Sequence, residues 1–446
     1  MITEIELENV RLFEGKGWVF PIRPLEVFCG TNSAGKSTLL KVLLLLRQSI
    51  IAPESYGEFE GRLRFVSSQL DLGNYLSFVS NNDGSKDLKI SLTIQDMMRQ
   101  SFVDTFTSSS PTTLSKRTAA PNPWLPYFAK ATFTFGMQSG NRDLRAQETQ
   151  APHGPASGPR SQGYLKSAQF EVRQADKILL TWKVISSLAK SGEEKNVERY
   201  ELLVPSDFAS KALSQIESLG IDEKFKLERF QVTMRGLLPN GLRAPLKTRK
   251  AKRSTKDIYN WPLPAQIHFI LGDFRLALQA IHYLGPLRTP AKRFYITNLD
   301  DTPDLDSTGE FLPSILHQKG ETKVLGVSQA YELSTLESGL NIWLYFLRTG
   351  ERASTSQDLN EIQLSTTKDV LVELLLMTPS GSKKYALADS GFGYSQILPI
   401  LVRGLLAEKG STIVIEQPEL HLNPALQVRL AHFFIELTRA DRKSVV

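Results

Sequence analysis

The stretch GTNSAGKS at Gly30–Ser37 decides how the fold of this chain is interpreted. It matches the pattern G-x-x-x-x-G-K-[ST] at every position. Glycines allow the backbone of such a loop to curl, so that its amide N–H groups point at phosphate oxygens. The lysine reaches the β- and γ-phosphates of a nucleotide, and the last hydroxyl ligates Mg²⁺. The motif predicts a phosphate-binding loop whose contact residues are Gly30, Asn32, Ser33, Ala34, Gly35, Lys36, Ser37 and Thr38.

The segments on either side of the loop predict the structure that supports it. Leu25–Cys29 is a short apolar run that ends at a glycine, which is typical of a buried parallel strand. Residues 37–50 are apolar almost all round, and their number favours a buried helix. The helix N-terminus would face the bound anion. The alternative, a chance glycine-rich turn, is disfavoured by this strand–loop–helix setting.

A second motif, TIVIEQPELHLNP at Thr412–Pro424, has the pattern of a Walker B element. Thr412–Ile415 predicts a buried strand, and the strand ends at the carboxylate of Glu416. A carboxylate at that position holds Mg²⁺, directly or through water. The metal ligands predicted from sequence are therefore Ser37 and Glu416. The alternative is a buried strand followed by an exposed acidic turn.

A third motif, DSGFGYSQ at Asp389–Gln396, precedes an apolar segment that predicts a helix over Ser395–Ala407, with Pro399 near its start. Small residues at a helix N-terminus allow close approach to a γ-phosphate. The alternative is a simple helix cap at Ser395. The predicted nucleotide contacts in this motif are Gly393, Ser395 and Gln396.

Taken in order, the three motifs resemble those of ABC-type AAA-family ATPases of the RecF, SMC and OLD group, above all prokaryotic ATPases associated with phage defence. The segment YLGPLRTPAKRFY at Tyr283–Tyr295 is also similar to that subgroup, and its Arg288 is either a structural or a nucleotide-sensing residue. The resemblance implies an α/β fold, an ABC-type P-loop ATPase head with a mixed sheet and flanking helices. A long inserted middle region would split this head, and the region between about 100 and 270 has no recognisable resemblance of its own.

The resemblance also implies ligands and partners. ATP and Mg²⁺ would bind at Lys36, Ser37 and Glu416. The signature residues would close over a nucleotide held by a second subunit, and Leu422–Pro424 would form the D-loop. Such heads form a homodimer or a higher oligomer with ATP between them. We expect the dimer to sense DNA or a phage component and to control a partner effector such as a nuclease.

The sequence departs from the family at the position of the catalytic base. The family has a carboxylate directly after the Walker B acid, and this chain has Gln417. Glutamine orients water but is a poor base. Either Glu419 acts in its place and hydrolysis is slow, or ATP serves mainly to hold the dimer together. Glu419 is equally well interpreted as a solvated carboxylate.

A second departure concerns the switch histidine that follows the last strand in the family. The sequence ends with ADRKSVV, inside a strand predicted over Ser444–Val446, and neither His421 nor His432 is placed to replace that histidine. We expect a C-terminally truncated head, in which nucleotide binding survives and hydrolysis is in question. Gln69 is a candidate for the family's water-sensing glutamine, although a surface glutamine is the commoner interpretation.

Composition limits the class of protein. The 446 residues carry a formal net charge of +6, which permits contact with nucleic acid without demanding it. The basic run Lys247–Lys256 fits a phosphate backbone or, more commonly, a solvated loop. A single cysteine, Cys29, excludes an intramolecular disulfide. No signal peptide and no membrane-spanning run is visible, so we expect a cytoplasmic protein that does not enter the membrane.

The predicted domain organisation has four segments: an N-terminal lobe of the head at 1–100, a low-complexity mobile loop at 101–165, an inserted middle region at 166–380, and an incomplete C-terminal lobe at 381–446. Within the loop, Thr132–Met137 fits a strand. Pro262–Leu284 predicts one long helix, and Glu332–Leu347 predicts another. Ser206–Leu219 is a further helix candidate.

Three functions remain open from the sequence. The first is an ATP-binding head that hydrolyses ATP and controls an effector in antiviral defence. The second is a nucleotide-gated or truncated, inactive scaffold. The third is a DNA repair or recombination ATPase of the RecF type. A membrane-transporter ATPase fits poorly, because such heads lack a long inserted middle region.

Overall fold

A computed structural model describes most of the chain, namely residues 1–31, 33–51, 61–67, 71–107, 124–137, 163–188, 198–206, 208, 229–245, 258–296, 306–325, 333–353, 359, 361–367, 371–377, 383–390, 392–439 and 443–445. The chain divides into two compact units. The N-terminal unit contains Ile2–Pro21 and Gly30–Gln279. The C-terminal unit contains Met1, Ile22–Cys29 and Ala280–Val446.

The N-terminal unit is built on a ten-stranded sheet in the order β10-β9-β8-β7-β6-β5-β4-β3-β1-β2. All of its strand pairs are antiparallel. The strands are β1 (Ile2–Glu8), β2 (Trp18–Pro21), β3 (Leu88–Arg99), β4 (Trp124–Met137), β5 (Gly163–Gln174), β6 (Lys177–Leu188), β7 (Glu198–Leu203), β8 (Arg229–Arg235), β9 (Leu238–Pro245) and β10 (Ile258–Trp261).

Helices cover this sheet because the strands alternate between buried and more exposed residues. In β4, for example, Tyr127, Phe133 and Phe135 are fully buried. The helices of the unit are α1 (Lys36–Ile50), α2 (Tyr75–Phe78), α3 (Gln100–Thr107) and α4 (Ala265–Gln279). Helix α4 packs against α1, β3 and β9, and its Phe274 ring lies 6.0 Å from that of Phe170 on β5.

The C-terminal unit combines short sheets with four helices in its described part. A parallel sheet has the order β11-β18-β19, and an antiparallel sheet has the order β12-β16-β15 with β17 paired to β16. Its elements are β11 (Ile281–Leu284), β12 (Tyr295–Ile296), α5 (Leu312–Lys319), β13 (Lys323–Leu325), β14 (Leu333–Thr335), α6 (Leu336–Thr349), β15 (Ile362–Thr367), β16 (Leu371–Met377), β17 (Lys384–Ala386), α7 (Phe392–Leu406), β18 (Ser411–Ile415), α8 (Pro424–Arg439) and β19 (Lys443–Val445).

The core of the C-terminal unit lies where α6, α7 and α8 meet. Leu340, Leu401 and Phe433 are almost completely buried there, and the Trp343 ring lies edge-on to that of Phe433 at 4.8 Å. Burial of apolar surface of this kind is the main force that stabilises a fold. Helix α7 begins within the motif Asp389–Gln396, and helix α8 begins at the last residue of the motif Thr412–Pro424. The core therefore holds both motifs in place.

Two helix predictions were wrong at their boundaries. The predicted helix over Pro262–Leu284 ends at Gln279, and Ile281–Leu284 is strand β11, because it pairs in parallel with β18. The helix predicted to begin at Glu332 begins at Leu336. The preceding Leu333–Thr335 pairs with β13, and the Thr335 hydroxyl caps the helix by accepting a hydrogen bond from the Ser338 N–H at 3.2 Å.

Two further predictions near the motifs were also wrong. Leu25–Cys29 is not a buried strand: Val27 is 70% exposed, and Leu25 alone packs partly against the C-terminal core. The helix predicted over Ser395–Ala407 begins earlier, at Phe392, so Pro399 lies inside α7 and not near its start. The absence of a side chain at Gly309 leaves room for the proline ring, because an added Cβ would lie 2.6 Å from Pro399 Cγ.

The strand in the predicted mobile loop is longer than expected, since β4 begins at Trp124 and pairs along its length with β3. The helix predicted over Ser206–Leu219 lies outside the described residues except for Ser206 and Phe208. Gln69 and Lys247–Lys256 lie outside them entirely. The four-segment domain organisation stays a prediction.

The described part of the chain confirms the broad fold class, a mixed α/β architecture with a large antiparallel sheet. Its identity as a P-loop ATPase head stays a prediction. Among the described helices, none has both the length and the apolar composition needed to cross a bilayer.

Two glycine-to-alanine changes in helices should have opposite effects on stability, because only one of the two glycines is closely packed. A Cβ added at Gly404 would lie 2.4 Å from Phe433 Cζ, whereas one added at Gly272 in α4 would meet no atom within 4 Å. We expect Gly404→Ala to lower the free energy of unfolding by about 1–3 kcal/mol through overpacking. Gly272→Ala should raise it by about 0.5–1 kcal/mol, because alanine is the better helix former. Urea denaturation followed by circular dichroism measures both, and a stabilised Gly404→Ala would contradict the described packing.

Candidate functional site

The predicted phosphate-binding loop, Gly30–Ser37, lies in the N-terminal unit at the start of α1. Its backbone takes left-handed conformations at Ser33 (φ 66°) and Gly35 (φ 90°), and φ is 152° at Gly30. Such conformations suit glycine, while a serine in one costs of the order of 1–3 kcal/mol. Gly35 is the residue at which α1 starts, and the helix therefore presents its first N–H groups towards the loop. The predicted helix after the motif is confirmed.

The Lys36 side chain folds back over the loop. Its Nζ donates hydrogen bonds to the carbonyl oxygens of Gly30 and Thr31, both at 2.7 Å. A third bond within the loop runs from the Ala34 N–H to the Thr31 oxygen at 3.3 Å. The ammonium group is thus held beside the curled backbone, where its partners are neutral carbonyls. A phosphate oxygen makes a stronger, charge-assisted bond with the same group.

The other predicted loop residues differ in accessibility. Ser33 and Ala34 are exposed, and Ser37 is half-buried in the first turn of α1. Thr38 is buried, and its N–H bonds back to the Gly35 oxygen at 2.9 Å. Asn32 lies outside the described residues.

An aromatic cluster beside the loop was missed from the sequence. A Cβ added at Gly35 would lie 2.8 Å from Phe13 Cζ, so the ring of Phe13 covers this glycine closely. Phe13 is buried, and the rings of Trp18 and Phe20 lie 5.3 and 5.2 Å from it. Two features therefore require a glycine at position 35, where the loop meets the helix. They are the positive φ of Gly35 and the Phe13 ring that lies against it. Nothing in the spacing of these aromatics signalled that contact.

Glu416 lies in the C-terminal unit, directly after β18. Its N–H extends the parallel ladder to the Leu284 oxygen at 3.0 Å. Its carboxylate accepts a hydrogen bond from the Tyr283 hydroxyl, with 3.2 Å between the oxygens. Burial raises the pKa of Tyr283, and the neighbouring Glu416 charge raises it further, so the tyrosine stays a donor at neutral pH. The strand predicted over Thr412–Ile415 is confirmed, and the Glu416 carboxylate that follows it is oriented by Tyr283.

Arg288 connects two of the predicted motifs. Its guanidinium donates from Nη1 to the Gln396 side-chain oxygen at 3.3 Å and from Nη2 to the Glu416 backbone oxygen at 3.0 Å. The residue is 5% exposed, and its Nε has no hydrogen-bond partner in the described structure. Burial lowers the pKa of Arg288 to about 10, and the charge on Glu419 opposes that effect. The guanidinium thus remains charged at neutral pH and acts as a structural link.

The signature motif forms the first turn of α7. Gly393 is half-buried, and a Cβ added there would lie 3.8 Å from Leu422 Cδ2 and 4.0 Å from the His421 oxygen. Ser395 and Gln396 are buried, with Gln396 turned towards Arg288. In this motif Gly393 therefore lies nearer the surface than Ser395 and Gln396. The Gln396 side chain points into the interior of the unit.

The turn after β18 carries the remaining predicted residues. Gln417 and Glu419 are both exposed, and Gln417 has a positive φ of 48°. The Leu422 N–H donates to the Glu419 oxygen at 3.1 Å, and the Asn423 side chain caps α8 by accepting from the Leu426 N–H at 3.0 Å. This turn is held by backbone bonds and a cap, and it leaves both candidate water-orienting side chains accessible.

The structure thus brings Glu416, the first turn of α7 and the segment Leu422–Pro424 together in the C-terminal unit. The phosphate-binding loop belongs to the N-terminal unit. The shared magnesium site of Ser37 and Glu416 stays a prediction. Within the described ranges, no group of three or more His, Cys, Asp or Glu side chains is placed to hold a metal ion.

Comparison with known proteins adds no assignment. No protein-family model matches the chain. A search of curated proteins returns no significant match. The family resemblance therefore rests on the motifs themselves.

The Arg288–Gln396 bond predicts non-additive effects of substitution. Either Arg288→Met or Gln396→Met leaves a buried polar group without its partner, at a cost of about 1–3 kcal/mol. The double variant removes both groups, so we expect it to cost less than the sum of the singles by about 0.5–3 kcal/mol. Chemical denaturation of the four proteins measures this. As a control, Arg288→Met combined with Val428→Ala at an exposed position should be additive, and additivity in the first pair would refute the proposed link.

Proposed function

We propose that this chain binds ATP with Mg²⁺ as an ABC-type ATPase head of the RecF, SMC and OLD group. The observation that carries the proposal is the loop of Gly30–Ser37. It combines left-handed backbone, the start of a fifteen-residue helix and a lysine that already bonds to two loop carbonyls. Together these features supply a helix N-terminus, its favourable dipole and a positive charge beside the loop, as a triphosphate requires.

The chemistry of the available side chains fits these ligands. Lys36 would bind the β- and γ-phosphates, and the N–H groups at the start of α1 would bind their oxygens. Ser37 and Glu416 offer the hard oxygen ligands that Mg²⁺ prefers, and Mg²⁺ commonly keeps several waters besides one or two protein ligands. Bound Mg²⁺ neutralises charge on the phosphates. Tyr283 supports this assignment by orienting the Glu416 carboxylate.

Dimerisation and control of a partner are the next part of the proposal. The first turn of α7 and the turn before α8 adjoin, since Gly393 lies beside His421 and Leu422. This arrangement supports a combined signature and D-loop surface for a second subunit and its nucleotide. The roles in anti-phage defence, with a nuclease or other effector and with DNA as a trigger, rest on the motif resemblance.

A nucleotide-gated scaffold is the second candidate, and a specific residue favours it. Gln417 occupies the position directly after Glu416, where a carboxylate would act as base, and its side chain is exposed. In this function ATP binds and holds two heads together with little turnover. The DNA-repair alternative rests on the motif resemblance alone, and the basic run Lys247–Lys256, a candidate contact for a phosphate backbone, lies outside the described residues.

Nucleotide binding is tested by Lys36→Ala beside Lys41→Ala, which removes the same charge five residues further along α1. A charge-assisted hydrogen bond contributes about 1.5–3 kcal/mol, so we expect Lys36→Ala to weaken ATP binding roughly tenfold to 150-fold. Lys41→Ala should bind as the unmodified chain does. Titration with a fluorescent ATP analogue in the presence of Mg²⁺ measures both. Equal affinity of the two variants would disprove the role of the loop.

The two candidate functions are separated by Gln417→Glu and Glu419→Gln. If the missing base limits hydrolysis, Gln417→Glu raises the turnover rate by about 10²–10⁴, the usual contribution of a positioned base. Glu419→Gln abolishes the residual rate only if Glu419 acts in its place. Phosphate release at saturating ATP gives the rates, and the binding titration shows that affinity is unchanged. A Gln417→Glu variant with the original rate would argue against the base hypothesis.

A further inference from the structure

A pocket of 620 Å³ opens between helices α6, α7 and α8 of the C-terminal unit. Its floor is apolar: Leu344 and Leu347 from α6 and Ile397 from α7 are almost completely buried, and Leu426 from α8 packs beside them. Pockets that hold small molecules have volumes of about 300–1,000 Å³, mostly apolar walls and a few polar groups, and they often lie between helices. Size, lining and position all fit that class.

The polar part of the wall is positively charged. Two arginines line the pocket, Arg348 and Arg429, and no carboxylate is among its described lining residues. The Arg348 guanidinium is matched by Glu361, which accepts from its Nε at 3.0 Å and also from Nη2. Among the described residues no acid pairs with Arg429: it donates from Nη1 to the Leu347 oxygen at 2.7 Å and to the Arg348 oxygen at 2.8 Å, and from Nη2 to the Thr349 oxygen at 3.4 Å.

The charge on Arg429 is therefore compensated only by the carbonyl end of α6. These carbonyls carry a partial negative charge, and no acid among the described residues forms an ion pair with Arg429. A buried or half-buried charge that lacks a counter-ion gains most from an anion. The neighbouring Asn423 and Tyr394 add neutral polar groups to the same wall. Burial raises the pKa of Tyr394, so its hydroxyl is a donor at neutral pH.

We infer that this pocket binds a small organic anion with an apolar, ring-sized body. The body lies on the leucine and isoleucine floor, and the acidic group lies against Arg429. Such a ligand would touch Gly393 and Tyr394 of the first turn of α7 and Asn423 before α8 at the same time. The binding site does not depend on the proposed nucleotide function, although occupancy would fix the two segments relative to one another.

The probe for this inference is anilinonaphthalene sulfonate, an aromatic anion whose fluorescence rises in an apolar site. We expect saturable binding with one probe per chain. Ala425→Trp should fill the exposed mouth of the pocket and weaken binding at least about tenfold, which corresponds to a loss of about 1.4 kcal/mol of binding free energy. Ala431→Trp is the matched control, because it adds the same side chain at an exposed position on the opposite face of α8.

A second pair of measurements tests the charge. The neutral analogue N-phenylnaphthylamine lacks the sulfonate, and we expect it to bind at least about tenfold more weakly, in line with the strength of charge-assisted bonds. Arg429→Met should remove that difference. Circular dichroism and the thermal midpoint check that each variant folds, and Ala425→Leu replaces Ala425→Trp if the tryptophan prevents folding. Unchanged binding in the filled variant would overturn the site, and equal binding of both probes would overturn the anion class.

Discussion

The parallel pairing of β11 with β18 is the interaction on which the chemistry-bearing half of the molecule depends. Parallel strands bring their carboxyl ends to the same edge of a sheet, and each of these two strands is followed by a segment that carries a charged side chain. Tyr283 lies within the first strand, Arg288 follows it, and Glu416 follows the second. The ladder continues through the Glu416 N–H, so the position of its carboxylate is fixed by main-chain bonds as well as by the tyrosine.

The same geometry explains why a charge is retained in the interior. Arg288 is almost completely buried, no carboxylate forms an ion pair with it in the described structure, and one of its nitrogens has no partner. Such an arrangement is costly compared with an apolar side chain of similar size. The guanidinium is useful only because its fork reaches the Gln396 side chain and the Glu416 carbonyl at once, which lysine's single ammonium does less well. Arg288 thus lowers the stability of the fold, but it fixes the distance between the start of α7 and the end of β18.

The sequence predicted the elements around the motifs well and the elements between them poorly. The helix after Lys36, the strand before Glu416 and the helix from Pro424 follow from apolar patterns beside unmistakable motifs. Leu25–Cys29 is apolar except for Glu26, and apart from a single bridge residue, Leu25, it forms no strand. An apolar run cannot reveal from local pattern whether it has a ladder partner.

Long-range contacts account for the remaining errors. Gln396 was predicted to face a nucleotide, yet its side chain turns inward because Arg288, more than a hundred residues earlier in the chain, reaches it. The split of Pro262–Leu284 into a helix and a strand has the same origin, since only the presence of β18 makes the last four residues extend. Neither partner is visible from periodicity within a window of one helix.

Two constraints on Gly35 argue that the loop is built for a ligand rather than for stability. A positive φ and the Phe13 ring both exclude a side chain there, and a second strained residue, Ser33, lies two positions earlier. Strain of this kind persists only where the surrounding structure imposes it, and it collects at sites that bind ligands. A turn needed merely to connect Cys29 to α1 has cheaper conformations available. Gln417 is exposed, and its positive φ of 48° does not explain why an amide stands there in place of a carboxylate. The constrained loop and the amide directly after Glu416 both support the proposed binding of nucleotide over the alternative of rapid hydrolysis.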